Sequence, residues 1–287
     1  MSATASASGS TREFSLTNRS FKQLASIVRQ RSGIVLSDHK REMVYGRLAR
    51  RLRSLGLESF SDYCALLEGS EGKDEIGNLI NAITTNLTKF YREPHHFSHL
   101  SEQVLRPAAK RWSRGERFSL RIWSAGCSSG EEPYSIAFCI AATVPDFQRR
   151  DIKILATDLD SNMLAIGKAG IYAADATGQI PEPLRRKHFV RCEEQPGKLR
   201  ISEPLRALIS FRQLNLFGNW PLRRRYGAIF CRNVMIYFDG ESKKHLVGRF
   251  MERLESGGFL YLGHSESLLG GEPGLTLAGP TAYRKDA

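Results

Sequence analysis

Cysteine is scarce in this sequence, and the cysteines that are present form no recognisable pattern. There are five in 287 residues, at positions 64, 127, 139, 192 and 231, and no two of them have C-x-x-C spacing. An odd, scattered set of this kind excludes a disulfide framework and carries no zinc signature. We therefore expect a protein that binds no metal and works in a reducing cytoplasm.

Long apolar runs are also missing. No stretch approaches the roughly 18 apolar residues that a membrane-spanning helix needs, so we expect no membrane insertion. Residues 1–13 are mostly small and polar, and they lack the basic and apolar regions of a secretory signal. This composition predicts a disordered leader instead.

Acidic residues are outnumbered by basic ones. The chain has 42 Lys and Arg against 30 Asp and Glu, a formal net charge of +12. The excess is concentrated between positions 19 and 53, where ten basic residues face only Asp38 and Glu42. Such a balance indicates an acidic partner, which could be a nucleic acid, an anionic membrane or an acidic protein surface.

The first part of the chain has the apolar spacing of helices. Apolar residues recur at helical intervals over residues 14–83, with no strand-like alternation, which predicts a small helical N-terminal domain. Polar residues then cluster before Pro94, which can begin a helix. Residues 84–112 are accordingly interpreted as a linker and the first helix of the next domain.

From residue 113 to the end the pattern changes. Short strand-like runs recur at 120–124, 152–157, 208–213, 228–231 and 259–262. Helical patterns separate most of them, and this alternation is typical of an α/β domain with a parallel sheet. A hairpin about Gly279 and Pro280 would add antiparallel edge strands.

One segment interrupts the alternation. Residues 181–209 contain three short strand candidates, at 188–192, 198–201 and 205–209, with a Gln-Pro-Gly turn between the first two. We expect this segment to form a small antiparallel β-subdomain inserted into the sheet domain.

The stretch 120–144 predicts a cofactor site. A strand is followed by small residues, Ala125 and Gly126 among them, and then by a helix, the usual location for a nucleotide-like ligand. Neither the G-x-G-x-x-G spacing nor a phosphate-loop Gly-Lys-Ser/Thr is present. Glu131 and Glu132 stand where a phosphate would lie, which favours a cationic ligand such as S-adenosylmethionine. The alternative is an ordinary βα turn with solvated acids.

Polar residues follow two further strands. Asp158 ends the second strand, where a carboxylate can accept both ribose hydroxyls. The alternative is a helix cap, but Asp160 is better placed for that role. Asn215 and Leu216 follow the third strand and suit the edge and face of an adenine.

The fourth strand ends in Arg232-Asn233-Val234-Met235-Ile236-Tyr237. It lacks the Asn/Asp-Pro-Pro-Tyr/Phe motif common in enzymes that methylate planar nitrogens, so nucleic acid is not the expected acceptor. An Arg and a Tyr suit a carboxylate. Because a glutamate has a reference pKa of about 4.3, it is already ionised at neutral pH and needs no general base. His264 is the one candidate base, and we expect it to orient a loop instead.

Five longer stretches carry a resemblance to a known family. They are ITTNLTKFYREPHHF (83–97), WSAGCSSGEEPYSIA (123–137), ATDLDSNML (156–164), FCRNVMIYF (230–238) and LGHSES (262–267). In this order they closely resemble the chemotaxis receptor glutamate O-methyltransferases, the CheR family.

The resemblance implies a fold and an activity. The fold is the class I S-adenosylmethionine-dependent methyltransferase fold, with a mostly parallel seven-stranded sheet, an all-helical N-terminal domain and a small inserted antiparallel β-subdomain. The activity is methyl transfer from S-adenosylmethionine to glutamate carboxylates of the cytoplasmic helical domain of chemoreceptors during sensory adaptation. The products are glutamate methyl esters and S-adenosylhomocysteine. A monomeric cytoplasmic enzyme is expected, and the alternative is a regulator that binds cofactor or receptor without methyl transfer.

The resemblance also implies residue roles. Arg92, Arg232 and Tyr237 would position the reacting groups. Residues that would contact the cofactor are Asn86, Thr88, Arg92, Ala125, Glu131, Asp158, Asn215, Leu216, Arg232 and Asn233.

A docking surface for the receptor is implied as well. Lys40, Arg47, Arg50 and Arg53 of the basic helix would lie along acidic receptor helices, and the alternative is a merely solvated basic helix. Some members also bind a receptor C-terminal peptide at the β-subdomain. The turn at 192–198 lacks the Gly-x-Gly feature associated with those members, so peptide binding is left open.

Overall fold

The computed structural model describes residues 12–70, 72–268 and 271–287. The leader predicted at 1–13 therefore lies, apart from its last two residues, outside the described residues. The chain divides into two compact units, Met1–Ile83 and Thr84–Ala287.

The first unit is helical, as the apolar spacing predicts. The helices of this unit are amphipathic and bury their apolar faces. The first helix is capped at both ends: the Thr17 side chain accepts a hydrogen bond from the Ser20 amide, and Gly33 adopts a left-handed conformation after the last turn. Its helices are α1 (Asn18–Ser32), α2 (Arg41–Leu55), α3 (Phe60–Glu68) and α4 (Gly72–Ile83).

The second unit is organised around a seven-stranded sheet. Its strands are β1 (Leu120–Ala125), β2 (Ile152–Asp158), β6 (Ile209–Gln213), β7 (Tyr226–Cys231), β8 (Leu254–Leu262), β9 (Leu275–Gly279) and β10 (Ala282–Lys285). The order is β6-β2-β1-β7-β8-β10-β9. The first five strands in that order run parallel, and β10 pairs antiparallel with β8 and β9. This confirms the predicted methyltransferase-type fold and the C-terminal hairpin.

Helices precede the first strand and connect the later ones. They are α5 (Pro94–Leu100), α6 (Arg106–Ser113), α7 (Glu131–Thr143), α8 (Ser161–Ala169), α9 (Glu182–His188), α10 (Glu203–Arg206) and α11 (Gly240–Arg253). A π-helical turn over Ser101–Leu105 joins α5 to α6. No helix in the described part of the chain is long and apolar enough to cross a membrane.

The small antiparallel sheet differs from its prediction at both ends. Its strands are β3 (Ile171–Ala173), β4 (Phe189–Arg191) and β5 (Lys198–Ile201), in the order β3-β5-β4. The sheet therefore begins upstream of the predicted range 181–209, because β3 pairs with β5 across the intervening segment. The strand predicted at 205–209 is wrong over residues 205–208, and Ile209 begins β6 of the large sheet. Pro204 stands at the start of the short helix α10, where its fixed φ favours helix.

The core of the second unit brings the candidate site together. Apolar residues of the central strands β1, β2 and β7 are almost entirely buried, so the positions of these strands are determined by packing on both faces. Parallel strands present their carboxyl ends at one edge of a sheet, and that edge carries the turns that follow β1, β2, β6 and β7.

Candidate active site

The turn after β1 requires glycine at two positions. Gly126 has φ 82°, and a Cβ added there would lie 2.4 Å from Val234 Cγ2. Gly130 has φ 100°, and an added Cβ would lie 2.9 Å from the Gly167 Cα. Both positions combine a left-handed conformation with no room for a side chain. These two glycines therefore let the turn pack closely against the loop after β7 and against α8 before α7 begins at Glu131.

Asp158 is held rigidly at the end of β2. It is 9% exposed, and its two carboxylate oxygens accept hydrogen bonds from the Ser128 amide at 2.7 Å and the Asp160 amide at 2.9 Å. Burial raises the pKa of this carboxyl above its usual range, although the amide hydrogen bonds oppose the shift. Asp160 caps α8 through the amides of Asn162 and Met163, so the division of roles expected for the two aspartates is consistent with this geometry.

The linker reaches the same edge of the sheet. Asn86 Nδ2 donates to Asp160 Oδ2 at 2.8 Å, and Ser128 Oγ donates to the Asn86 carbonyl at 2.9 Å. Tyr91 N–H donates to Ser135 Oγ on α7 at 2.9 Å. Thr88 lies half-buried between these attachments. Asn86 is therefore brought next to the turn and Asp158, as the cofactor hypothesis requires.

Glu131 and Glu132 are neighbours with different surroundings. Glu131 accepts a hydrogen bond from Ser129 Oγ at 2.7 Å, and burial raises its pKa. Glu132 accepts from Ser124 Oγ at 2.7 Å and from Arg232 Nη1 at 3.1 Å. Glu131 faces a partner on its own turn and can accept a cationic ligand group, whereas Glu132 is already paired with a guanidinium.

Arg232 lies buried between two carboxylates. Its side chain is 2% exposed, with Nη1 3.1 Å from Glu132 Oε2 and Nη2 3.4 Å from Glu93 Oε2. Nη2 also donates to the Arg92 carbonyl. Arg232 therefore joins the β7 loop, α7 and the linker, and it acts on the site through the segments that it holds.

Two further carboxylates, which the sequence did not single out, hold the loops of the site. Glu266 is 6% exposed and accepts hydrogen bonds from the amides of Asn233, Ile236 and Gly263. Glu93 receives Asn233 Nδ2 at 3.5 Å and His264 Nδ1 at 3.1 Å. Burial acts to raise the pKa of Glu93, but Arg232 and His264 more than offset that effect and lower it. Both glutamates stand in the stretches that resemble the CheR family, which is the signal that could have found them.

The remaining candidate residues lie around this edge. Leu214 N–H donates to the Asp158 carbonyl at 3.0 Å, which places Asn215 and the 9% exposed Leu216 beside the end of β2. Tyr237 Oη donates to the Thr85 carbonyl at 3.4 Å. Arg92 is half-buried, and its Nη1 donates to the Leu87 carbonyl at 3.0 Å. Ala125 is fully buried at the end of β1.

The candidate docking residues belong to the other unit. Arg50 and Arg53 are exposed, and Arg53 pairs with Glu13 at 2.9 Å. Arg47 donates to the carbonyls of Ala82 and Ile83 at the end of α4. Burial lowers the pKa of Lys40, whose Nζ donates to the Val35 carbonyl at 3.4 Å. Only Arg50 and Arg53 of this set thus have largely solvent-facing side chains.

The arrangement fits S-adenosylmethionine. The small residues of the turn suit the methionine part, Glu131 can face its ammonium group, and Asp158 can accept its ribose hydroxyls. Asn215 and Leu216 follow β6, the next strand along the edge, where they could contact an adenine.

Known proteins share these features. A model of the CheR methyltransferase SAM-binding domain matches residues 86–281, and a model of the CheR methyltransferase all-alpha domain matches residues 19–84. The chain is 39% identical over 275 residues to the chemotaxis protein methyltransferase of Escherichia coli (strain K12), covering 95% of this chain and 93% of that protein.

The chain is similarly close to two further chemotaxis protein methyltransferases. Identity to chemotaxis protein methyltransferase 2 of Pseudomonas aeruginosa is 39% over 273 residues, covering 94% of each protein. Identity to a probable chemotaxis protein methyltransferase of Rhizobium etli is 40% over 240 residues, covering 83% of this chain and 89% of that protein. The chain therefore belongs to the CheR methyltransferase family, and its cofactor is S-adenosylmethionine.

Proposed function

We propose that this enzyme transfers a methyl group from S-adenosylmethionine to glutamate side chains of chemoreceptors in sensory adaptation. The observation that carries the proposal is the edge of the sheet where Glu131, Asp158 and the Arg232–Asn233 loop meet, in a chain that matches the CheR family over residues 19–281. The names of the E. coli and P. aeruginosa relatives place those enzymes in chemotaxis, which supports the same process here.

The chain's own residues would act by binding and orientation. Asn86, Thr88, Arg92, Ala125, Glu131, Asp158, Asn215, Leu216, Arg232 and Asn233 form the proposed cofactor contacts. When bound, the cofactor supplies a methyl group on a positively charged sulfur. Asp158 and Glu131 would hold its ribose and ammonium groups and so set the direction in which the methyl group points.

The acceptor needs orientation more than activation. A glutamate carboxylate is ionised at neutral pH, so its oxygen can form the new C–O bond as the C–S bond breaks, and no proton is transferred. Arg92, Arg232 and Tyr237 would keep the loops that border this oxygen in place. Correct alignment of two reactants can supply several kcal/mol of the barrier.

We further propose that the receptor docks on the basic surface of α2. Arg50 and Arg53 support this role best because both are exposed. Arg47 and Lys40 would contribute less, since each already donates to backbone carbonyls. Acidic receptor helices would be attracted by this surface, and the attraction would weaken as salt concentration rises.

Location and assembly are part of the same proposal. We propose that the enzyme acts in the cytoplasm as a monomer, with the helical domain at 14–83, the linker and first helix at 84–112, and the methyltransferase domain from 113. A receptor C-terminal peptide could add to β4, which is an edge strand of the small sheet and exposes 54% of Val190.

The decisive test is transfer of a labelled methyl group to the cytoplasmic fragment of a chemoreceptor, followed by treatment with mild base. Methyl esters hydrolyse in base and N-methyl groups do not, so the expected label is incorporated and then lost. Asp158→Asn should reduce both cofactor affinity and transfer, and Asp175→Asn, an exposed aspartate, is the matched control. Cofactor binding without any transfer would favour the regulator over the enzyme, and base-stable label would exclude a glutamate ester.

A further inference from the structure

Three potential metal ligands gather at the turn that follows Arg92. Glu93 ends the linker, and His95 and His96 lie in the first turn of α5. One ligand atom from each of the three side chains lies within 4.8 Å of the others. Glu93, His95 and His96 lie within four consecutive positions of the chain. This is not one of the usual spacings of zinc ligands, so the sequence alone did not indicate the cluster.

The hydrogen bonds of His96 determine its tautomer. Its Nε2 lies 2.9 Å from the Pro280 carbonyl oxygen and 3.1 Å from Thr281 Oγ1. A carbonyl can only accept, so Nε2 carries the hydrogen and Nδ1 keeps a free lone pair. A histidine that donates one ring N–H to a backbone carbonyl and presents the other nitrogen is the usual arrangement of a metal ligand.

Two acceptor atoms face each other in this buried turn. Glu93 Oε2 and His96 Nδ1 are 3.6 Å apart, and their side chains are 10% and 0% exposed. Neither atom has a hydrogen-bond partner among the described residues, and Glu93 Oε2 lies in an ion pair with Arg232 Nη2 at 3.4 Å. Two lone pairs that are buried face to face are unfavourable unless a donor or a cation lies between them. If an ion lay about 2.0–2.1 Å from each of these two atoms, the angle between its two bonds would be about 120°.

We propose that Glu93, His95 and His96 form a binding site for a divalent transition-metal ion of the zinc class. Imidazole and carboxylate are ligands that Zn²⁺ accepts, and three protein ligands leave a fourth position for water or another group. His95 is exposed, which provides an entry path for the ion. His264 lies 3.1 Å from the other oxygen of Glu93 and so stands at the border of the site.

The charges around the site have opposite effects on an ion. Arg232 Nη2 is 3.4 Å from Glu93 Oε2 and repels a cation. Glu132 pairs with the same guanidinium and compensates its charge, so the two carboxylates and Arg232 together leave one negative charge for the ion. Ion binding would fix the turn between Arg92, in the proposed cofactor site, and α5.

The first test measures Zn²⁺ binding to the metal-free full chain by isothermal titration calorimetry. One equivalent is expected to bind. His95→Ala should weaken the affinity on the order of tenfold or more, because it removes one ligand. His245→Ala, another exposed histidine of the same unit, is the matched control and should bind as the unaltered chain does.

Three results would overturn the site: no stoichiometric binding, equal affinity in His95→Ala, or a loss of affinity in the control. The first of these would assign the space between Glu93 and His96 to a water molecule.

A second variant addresses the buried part of the site. Glu93→Gln keeps the size of the side chain and removes the charged ligand, so Zn²⁺ binding should fall while circular dichroism remains unchanged. Co²⁺ offers an independent measurement, since its visible absorption spectrum reports the number of ligands. Loss of one ligand in His95→Ala should change that spectrum, and an unchanged spectrum would contradict the assignment. S-adenosylmethionine affinity of metal-free His95→Ala should stay normal, which separates this site from the proposed cofactor site.

Discussion

The arginines of helix α2 and the arginine at the end of β7 are the same kind of side chain in opposite surroundings. Arg50 and Arg53 are exposed on a helix with few acids, and the ion pair of Arg53 with Glu13 is itself largely exposed. Arg232 is 2% exposed and is held by Glu93, Glu132 and the Arg92 carbonyl. An exposed charge is available to a partner, whereas a buried charge is committed to the structure around it.

The contrast has one exception inside α2. Arg51 makes a two-point contact with Glu75, whose side chain is 7% exposed and also receives Tyr63 and Asn78. The basic helix therefore contains both kinds of arginine. Its solvent-facing side chains are candidates for docking, and Arg51 instead anchors α2 to α4.

The largest expected effect is a difference in unfolding free energy between a variant of the buried arginine and a variant of an exposed one. Arg232→Ala leaves Glu93 and Glu132 buried without their shared cation, which typically costs about 3–5 kcal/mol. Arg53→Ala removes an exposed pair and should cost about 0–1 kcal/mol. Urea unfolding of the full chain, followed by tryptophan fluorescence, measures both. Equal losses of unfolding free energy in the two variants would show that the buried and the exposed arginine do not differ in their contribution to stability.

The exception in α2 predicts a pH dependence. Burial acts to raise the pKa of Glu75, but hydrogen bonds from Arg51, Asn78 and Tyr63 more than offset it and lower the pKa. A lowered carboxyl pKa stabilises the fold above the unfolded value of about 4.3, and this contribution is lost as pH falls through the folded value. Glu75→Gln should therefore cost about 2 kcal/mol at pH 7, and this cost should disappear only as pH falls below the unfolded value and through the lowered folded value.

Thermal unfolding midpoints at pH 7 and at about pH 2, well below the unfolded value of about 4.3, check this expectation. Glu42→Gln, at an exposed position of α2, serves as the control and should lower the midpoint little at either pH. A Glu75→Gln deficit of the same size at both pH values would show that its charge is not the stabilising feature.

A smaller effect concerns the cofactor. Arg92→Ala should weaken S-adenosylmethionine binding by more than tenfold, about 1.4 kcal/mol, because a charged contact is lost from a partly buried site. Arg50→Ala should leave the affinity unchanged. Calorimetric titration of the two variants makes the comparison, and normal affinity in Arg92→Ala would take this residue out of the cofactor site.

The smallest expected effect on stability should accompany a clear decrease in receptor methylation. Reversing two charges, Arg50→Glu with Arg53→Glu, should change the stability by no more than about 1 kcal/mol, since both side chains are exposed. Receptor methylation should nevertheless fall severalfold at low salt while cofactor affinity stays intact. Methylation at the unaltered rate would move the docking surface away from α2.

Local patterns predicted much of the fold. Apolar spacing located the helices described in the first unit, and the alternation of strands and helices located β1, β2, β6 and β7 to within two residues and the second half of β8. These features depend on neighbours along the chain. The strand β3 was missed because three residues carry almost no periodic signal, and its pairing with β5 is decided by residues far away in sequence.

The same division applies to the site. The sequence by itself determined the glycine turn after β1 and the cap at Asp160, since a tight turn and a helix cap depend on residues that are adjacent in the chain. Only the tertiary structure decided which arginine is buried. Arg232 meets Glu132 and Arg92 across separations of 100 and 140 residues. Composition records how many charges a chain has, but the energy of each charge depends on the burial and the partners that folding brings to it.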